Sequence, residues 1–391
     1  MARSGLLQAA ARVALIGFLL LLPAVTLWNS LIPPPNLGFY ILSLAGVTAD
    51  PPLTLSARSI IDGDFQKAIA SRVAAKIPVR PLLIRLNSQI LYSLFREIRP
   101  QDIVEGTGGH LFEMRYLIDY CARTDADAQT YAEKMIPILR DIQTYYRARD
   151  AVFVYAISPS KAAAMSAHVT GTIPCPNSAA TRQRSTSDYA RRLSDAGITT
   201  LDLATLVRDA GPRSPVELFP PGGTHWNELG AAIATRALIG AINEQVTGAP
   251  LRSFELTYTM SRQPLGSDRD LVDLISLLFP PVSYSVPRLM RSTECPQTPT
   301  STVRTAIVGS SFMHTPSEML EREACLSDLK MYFYLRRGLF GGLPYRWYKW
   351  NLDAADLAPL REAKIVVLEE NESEVGRSGY PPVLRDLLLG N

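Results

Sequence analysis

The run Val152-Phe153-Val154-Tyr155-Ala156-Ile157 is apolar at every position. A strand with one face in water alternates apolar and polar side chains, so an unbroken run predicts a strand covered on both faces. Further strands are read at Ile198–Leu203, Val303–Gly309 and Lys364–Glu369. Helical patterns separate them, at about 127–147, 186–196, 227–246 and 317–326. The first carries Tyr131, Met135, Ile138, Leu139, Ile142 and Tyr145 on one face, with Pro137 placed to kink or divide it. Buried strands alternating with helices predict an α/β fold with a parallel sheet between two helical layers.

Other segments do not alternate in this way. Residues 57–98 read as mostly helical with a break at Pro78, and Ile103–Phe112 reads as a hairpin around Gly106, Gly108 and Gly109. Residues 247–300, rich in Pro and Ser, read as an irregular excursion. The 391 residues suffice for one large domain with additions or two modest ones. A net charge of +3 from 40 basic and 37 acidic residues, with no long run of like charge, lacks the concentrated basic face that nucleic acid requires.

The N-terminus is apolar from Val13 to Leu31, roughly 19 residues, about enough to cross a bilayer as a helix. Arg3 and Arg12 precede it and no acidic residue appears before Asp50, so residues 1–12 are expected to stay cytoplasmic. A cleavable signal peptide shares this pattern, but small residues are poorly placed for cleavage after Leu22. The expectation is a single-pass inner-membrane anchor at 13–31, a helical lead-in over 32–100 and a periplasmic domain over 101–391. Cys121, Cys175, Cys295 and Cys325 form no CxxC pair, so no metal site is expected; outside the cytoplasm they favour disulfides. Cys121–Cys175 and Cys295–Cys325 would each close a local loop, with buried free thiols the alternative.

Four histidines can be weighed one by one. His110 lies in the hairpin and His168 in a Ser/Thr-rich loop, both read as solvated or structural, and His314 is read as a surface residue. His225 is set apart by a loop placement directly before a helix, behind Pro220-Pro221-Gly222-Gly223. Ser311 follows a buried strand at a strand-to-helix turn, where a hydroxyl stands at the sheet edge and backbone N–H groups can hold an oxyanion. A serine needs a base to take its proton, and a histidine is the usual one.

Taken together, these segments resemble the alginate O-acetylation proteins of the AlgJ/AlgX type, a branch of the SGNH-hydrolase-like superfamily. The resemblance runs over roughly residues 58–375 and rests on Ile77-Pro78-Val79-Arg80 with Leu86-Asn87, on Val104–Phe112 and on Ser158-Pro159-Ser160-Lys161. It continues through Gly223-Thr224-His225-Trp226-Asn227 with Gly230, Gly309-Ser310-Ser311-Phe312, and Val366–Glu372. It implies a three-layer SGNH-hydrolase-like sandwich and, because His225 precedes Ser311, the permuted order of the acetyl-transferring branch. The implied activity is transfer of acetyl groups to a secreted polysaccharide through an acyl-Ser311, with His225 as base and no cofactor. The implied donor partner is a membrane-embedded acyltransferase of the MBOAT type.

One position departs from the family pattern. The family's acid sits two residues before the histidine, and here that residue is Gly223. Three readings stay open: a Ser–His dyad, a carboxylate from elsewhere (Glu217, Asp202 or Glu228), or a degenerate glycan-binding or scaffold subunit. A periplasmic carbohydrate esterase is a further rival. Gly309, Ser310, Asn227 and Lys161 are the candidates for oxyanion or substrate contacts. Trp226, Glu370, Glu372, Trp347 and Tyr348 are the candidate glycan contacts, since aromatic faces stack on sugars and a solvated acid can bind hydroxyls.

Overall fold

The computed structural model describes residues 44–46, 53–75, 80–100, 102–171, 174–246, 251–291, 295, 303–342 and 346–390, with isolated positions between 13 and 24. Most of the expected membrane anchor lies outside these residues. Among the described residues no helix is long and apolar enough to cross a membrane. The chain divides into two compact units, Met1–Gln101 with Val272–Pro280, and Asp102–Leu271 with Pro281–Asn391.

The first unit contains the expected helical lead-in as helices Ala57–Ile61, Asp64–Ala75 and Arg80–Phe95. Ser56 and Ser59 cap the first of these reciprocally, each side chain taking the other's backbone N–H. Segment 272–280 is tied to the third helix, where Arg85 donates to the Leu277 carbonyl at 3.0 Å and Phe279 N–H donates to Gln89 at 3.0 Å.

The second unit opens with the expected hairpin, β1 (Ile103–Glu105) antiparallel to β2 (Leu111–Glu113). Its turn places Gly108 and Gly109 at φ 66° and 76°, a region that only glycine enters at little cost. The main strands are β3 (Val152–Ser158) and β4 (Thr200–Asp202), and a separate antiparallel pair is formed by β5 (Tyr258–Ser261) and β6 (Val286–Leu289). Then come β7 (Thr305–Gly309), β8 (Leu329–Phe333), β9 (Gly338–Gly341), β10 (Arg346–Trp350) and β11 (Ile365–Asn371). They build a seven-stranded sheet ordered β10-β9-β8-β7-β11-β3-β4.

The sheet is mixed, which corrects the all-parallel expectation. Strands β8, β7, β11, β3 and β4 run parallel, and β9 and β10 are antiparallel. The connection from β8 to β9 is only residues 334–337. A parallel crossover needs a dozen residues or more, so a link this short can only turn the chain back. The excursion is also more regular than expected, since it holds β5, β6 and the short helix Asp270–Leu274.

Side chains of the buried strands alternate between two cores. Phe153, Tyr155, Ile157, Val366 and Leu368 face helices Asp125–Arg147, Ala179–Asp195 and Tyr380–Leu389. Val154, Ala156, Ile307, Ile365 and Val367 face helices Glu228–Asn243 and His314–Arg322. This is the three-layer arrangement, and it explains why the run Val152–Ile157 of β3 is apolar on both faces. Pro137 does not divide its helix, which runs unbroken over Asp125–Arg147. Burial of Met135, Ile138, Leu139, Ile142 and Tyr146 along one face outweighs the one hydrogen bond a proline forfeits. Both expected disulfides, Cys121–Cys175 and Cys295–Cys325, are formed.

Candidate active site

Strand β7 ends at Gly309, and Ser311 opens a short 3-10 turn, Ser311–Met313, before helix His314–Arg322. Glu369 on the neighbouring β11 is fully buried and shapes that turn. Its carboxylate accepts the Ser310 N–H at 2.6 Å, the Ser310 hydroxyl at 3.0 Å and the Ser158 hydroxyl. Burial pushes the Glu369 carboxyl up to about 7. A Cβ on residue 309 would lie 2.6 Å from this carboxylate, so the close approach requires glycine. Gly309 and Ser310 therefore build the turn, and the Ser310 N–H offered above as an oxyanion donor is already given to Glu369.

His225 sits in the loop between the 3-10 turn Gly211–Arg213 and helix Glu228–Asn243, a loop that does not directly follow a sheet strand. Lys161, 1% exposed, fixes this loop by donating to the carbonyls of Pro220 at 2.7 Å, Pro221 at 2.8 Å and Gly223 at 2.7 Å. Burial lowers the Lys161 ammonium to about 7. With all three donors committed, Lys161 is a loop anchor and not the substrate contact expected. Asn227 is likewise structural: it caps the helix by accepting Gly230 N–H at 3.0 Å and donates to the Glu217 carbonyl at 2.6 Å. Trp226 is buried edge-on against Phe312 with centroids 5.6 Å apart, which removes it from the glycan contacts.

The two residues singled out by the sequence meet. His225 Nε2 lies 2.8 Å from Ser311 Oγ, and the other ring nitrogen, Nδ1, lies 2.6 Å from Asp270 Oδ2. Asp270 Oδ1 accepts the backbone N–H of Thr224 and of Leu271, both at 2.8 Å, so the carboxylate is fixed against the His225 loop on both oxygens. An acceptor at Nδ1 selects the tautomer whose Nε2 lone pair faces the serine.

Asp270 comes from the excursion and is none of the three acids expected. Glu217 instead faces the Nε2 atoms of His110 at 3.2 Å and His168 at 3.5 Å. Asp202 caps helix Leu203–Ala210 by accepting Thr205 N–H at 2.9 Å, and burial raises its carboxyl. Glu228 accepts Leu289 N–H at 2.8 Å and lies 3.7 Å from Arg288. The signal available in the sequence was local: three of the five acids in 247–300 fall within Asp268–Asp273. Distance along the chain hid it, because Asp270 lies 45 residues from His225.

The remaining candidates separate cleanly. Glu370 is buried on Tyr155 Oη at 2.5 Å and on Ser378, and Glu372 is buried on Ser160 N at 2.7 Å and Arg123 at 2.9 Å. Neither is a glycan contact, because β11 and the residue that follows it carry both into the interior. Trp347 and Tyr348 do stand on the solvent side, on the outermost strand β10. His314 is not a surface residue: its ring packs on Phe340 and Phe333 with centroids at 4.1 and 5.4 Å, and burial lowers it to about 4. His110, His168 and Glu217 could offer three ligand atoms to a cation, all within 4.8 Å of one another. Ligation through Nε2 would put the His110 hydrogen on Nδ1, which is buried with no acceptor, so a hydrogen-bonded histidine–carboxylate cluster fits these residues better.

Residues 103–322, more than half of the chain, match the family described as SGNH hydrolase-like domain, acetyltransferase AlgX. The probable alginate O-acetylase AlgJ of Pseudomonas putida is 24% identical over 187 residues, 48% of this chain and 46% of that protein. The match thus spans about half the length of that relative. Solved structures to which the chain has some likeness include the O-acetyltransferase domain of Pseudomonas putida AlgJ (TM-score 0.46, 19% identity, 74% of this chain and 99% of that one). Pseudomonas aeruginosa AlgX has TM-score 0.46 and 15% identity over 73% of this chain and 65% of that one. Bacillus cereus PatB1 has 0.42 and 11% over 71% and 98%. On the profile match, the chain belongs to the SGNH hydrolase-like family of AlgX acetyltransferase domains.

Proposed function

We propose that this protein transfers acetyl groups to hydroxyls of an alginate-like polysaccharide through an acetylated Ser311. The observation that carries this reading is the hydrogen-bonded line Asp270–His225–Ser311, with contacts of 2.6 and 2.8 Å. As Ser311 Oγ bonds to the acetyl carbon, His225 Nε2 takes its proton and then returns it to the departing donor oxygen. An acceptor hydroxyl next gives its proton to Nε2 as its oxygen takes the acetyl carbon, and the Oγ–carbon bond breaks with Oγ regaining the proton. Asp270 stays ionised throughout and holds the imidazolium in place.

The same reading places the domain in the periplasm on an inner-membrane anchor, with a membrane-embedded MBOAT-type acyltransferase as donor partner. This follows from the N-terminal apolar stretch and from the lack of acetyl-CoA outside the cytoplasm. Trp347 and Tyr348 on β10 are the proposed sugar-stacking residues. A connected Asp–His–Ser line favours an enzyme over a scaffold subunit.

The test supplies p-nitrophenyl acetate as donor and an alginate oligosaccharide as acceptor. The expected result is acetylated oligosaccharide from the wild type, a trapped acetyl on Ser311 by mass spectrometry, and neither from Ser311→Ala. Release of acetate with no acetylated sugar would favour the esterase alternative. Equal activity of Ser311→Ala and wild type would overturn both.

A further inference from the structure

Asp270 is carried by a segment far from His225 in sequence, so something must hold the two together. Asp268, two residues before Asp270, is 2% exposed. Its carboxylate accepts Leu265 N–H at 3.3 Å and pairs with the Arg288 guanidinium, and its carbonyl accepts the Tyr284 hydroxyl at 2.8 Å. The other terminal nitrogen of Arg288 lies 3.7 Å from Glu228, the first residue of the helix that begins just after His225. The residue following Arg288, Leu289, gives its N–H to the same Glu228 carboxylate at 2.8 Å. Arg288 also reaches the Gln263 carbonyl at 3.3 Å and its neighbour Pro287 at 3.5 Å.

One guanidinium therefore spans the segment that carries the acid and the helix start that follows the base. We propose that Arg288 is a positioning residue that sets the Asp270–His225 contact; this rests on the triad reading above. The planar fork of arginine suits the task, since its two terminal nitrogens can reach two carboxylates at once, which a lysine ammonium does less well. Without Arg288, the Asp268 carboxylate would be left buried and unpaired, and the least costly response is for the 266–270 turn to move outward. Asp270 would move with it, and Nδ1 of His225 would lose its acceptor while Ser311 stays in place.

The experiment uses the full chain with p-nitrophenyl acetate and compares Arg288→Gln, Asp268→Asn, Asp270→Asn and the Arg288→Gln/Asp270→Asn double variant. Arg288→Gln is expected to lower kcat by about tenfold or more with KM within about twofold, and Asp268→Asn to do likewise. In the Asp270→Asn background, Arg288→Gln should cost nothing further, because two residues acting through one contact are not additive. A second readout needs no turnover: the low-field proton NMR signal of the His225 Nδ1–H should persist in Ser311→Ala and vanish in Arg288→Gln. A folded Arg288→Gln with wild-type kcat and an unchanged signal would overturn the proposal. So would equal losses in both backgrounds. If wild type and Ser311→Ala hydrolyse the ester at the same rate, the triad reading fails, and the NMR signal alone decides what Arg288 holds.

Discussion

Gly223 packs so closely on the carbonyl of Ser267 that a Cβ on residue 223 would lie 2.1 Å from that oxygen. The resemblance puts the family's acid at this sequence position, and here the excursion fills the space beside it. The same stretch that excludes a side chain at 223 supplies Asp270 to His225. On the proposed reading the acid is relocated, not lost.

Restoring an aspartate at 223 should therefore harm the protein. Gly223→Asp must push the 266–268 turn away, an overpacking cost of roughly 1–3 kcal/mol or more, read by guanidinium denaturation. Ester hydrolysis should fall with it, and adding Asp270→Asn should not restore the rate. Wild-type stability in Gly223→Asp would show that the turn yields easily.

Asp270→Asn keeps the shape of the side chain and offers the wrong partner to Nδ1. Its kcat on p-nitrophenyl acetate should drop by up to ~10⁴-fold, the scale on which a triad acid acts, with little change in thermal midpoint. Glu217→Gln serves as the contrast and should stay within about twofold of wild type, since Glu217 faces His110 and His168.

Lys161→Met would leave the Gly223 carbonyl without the Lys161 donor, while the Pro221 carbonyl keeps the Leu111 N–H at 2.8 Å and the Pro220 carbonyl keeps the Gly223 N–H at 3.4 Å. One unmet buried group costs about 1–3 kcal/mol, so a loss of that size in urea denaturation is expected. Lys161→Arg should not rescue it, because a planar fork cannot meet three carbonyls converging on one point.

Glu369 makes stability depend on pH in an unusual direction for a carboxylate. Burial raises the group from 4.5 to about 7 in the folded chain, so the folded state holds the proton more tightly. Its contribution is present below about pH 4.5 and is lost as pH rises to about 7. Glu369→Gln should flatten the fall in unfolding free energy between pH 5 and 8 relative to wild type. Glu370, also buried and raised to about 7, keeps the remaining slope. An unchanged slope would show that Glu369 is ionised at both ends of the range.

Trp347→Ala with Tyr348→Ala tests the proposed sugar platform. The apparent KM for the alginate oligosaccharide should rise by about tenfold or more, because stacking is lost, while ester hydrolysis without acceptor is unchanged. Equal KM values would place the acceptor elsewhere on the surface.

Local pattern decided much of this molecule. The unbroken apolar run of β3 announced a strand between two layers, because a residue period of two with no polar member leaves no wet face. Glycines at 108 and 109 announced the hairpin, and Ser311 at the end of a buried strand announced an exposed hydroxyl. The tertiary structure decided the rest. Whether Lys161, Asn227 and Glu372 met substrate or the chain's own backbone depended on burial, which no local pattern records. The antiparallel edge followed from a four-residue link, and the third member of the site from an excursion without repeating pattern. Serine and histidine were legible because each sits in a local turn suited to its chemistry. Their acid was not, because a carboxylate needs only to arrive within hydrogen-bond reach, and the chain can bring it from any distance.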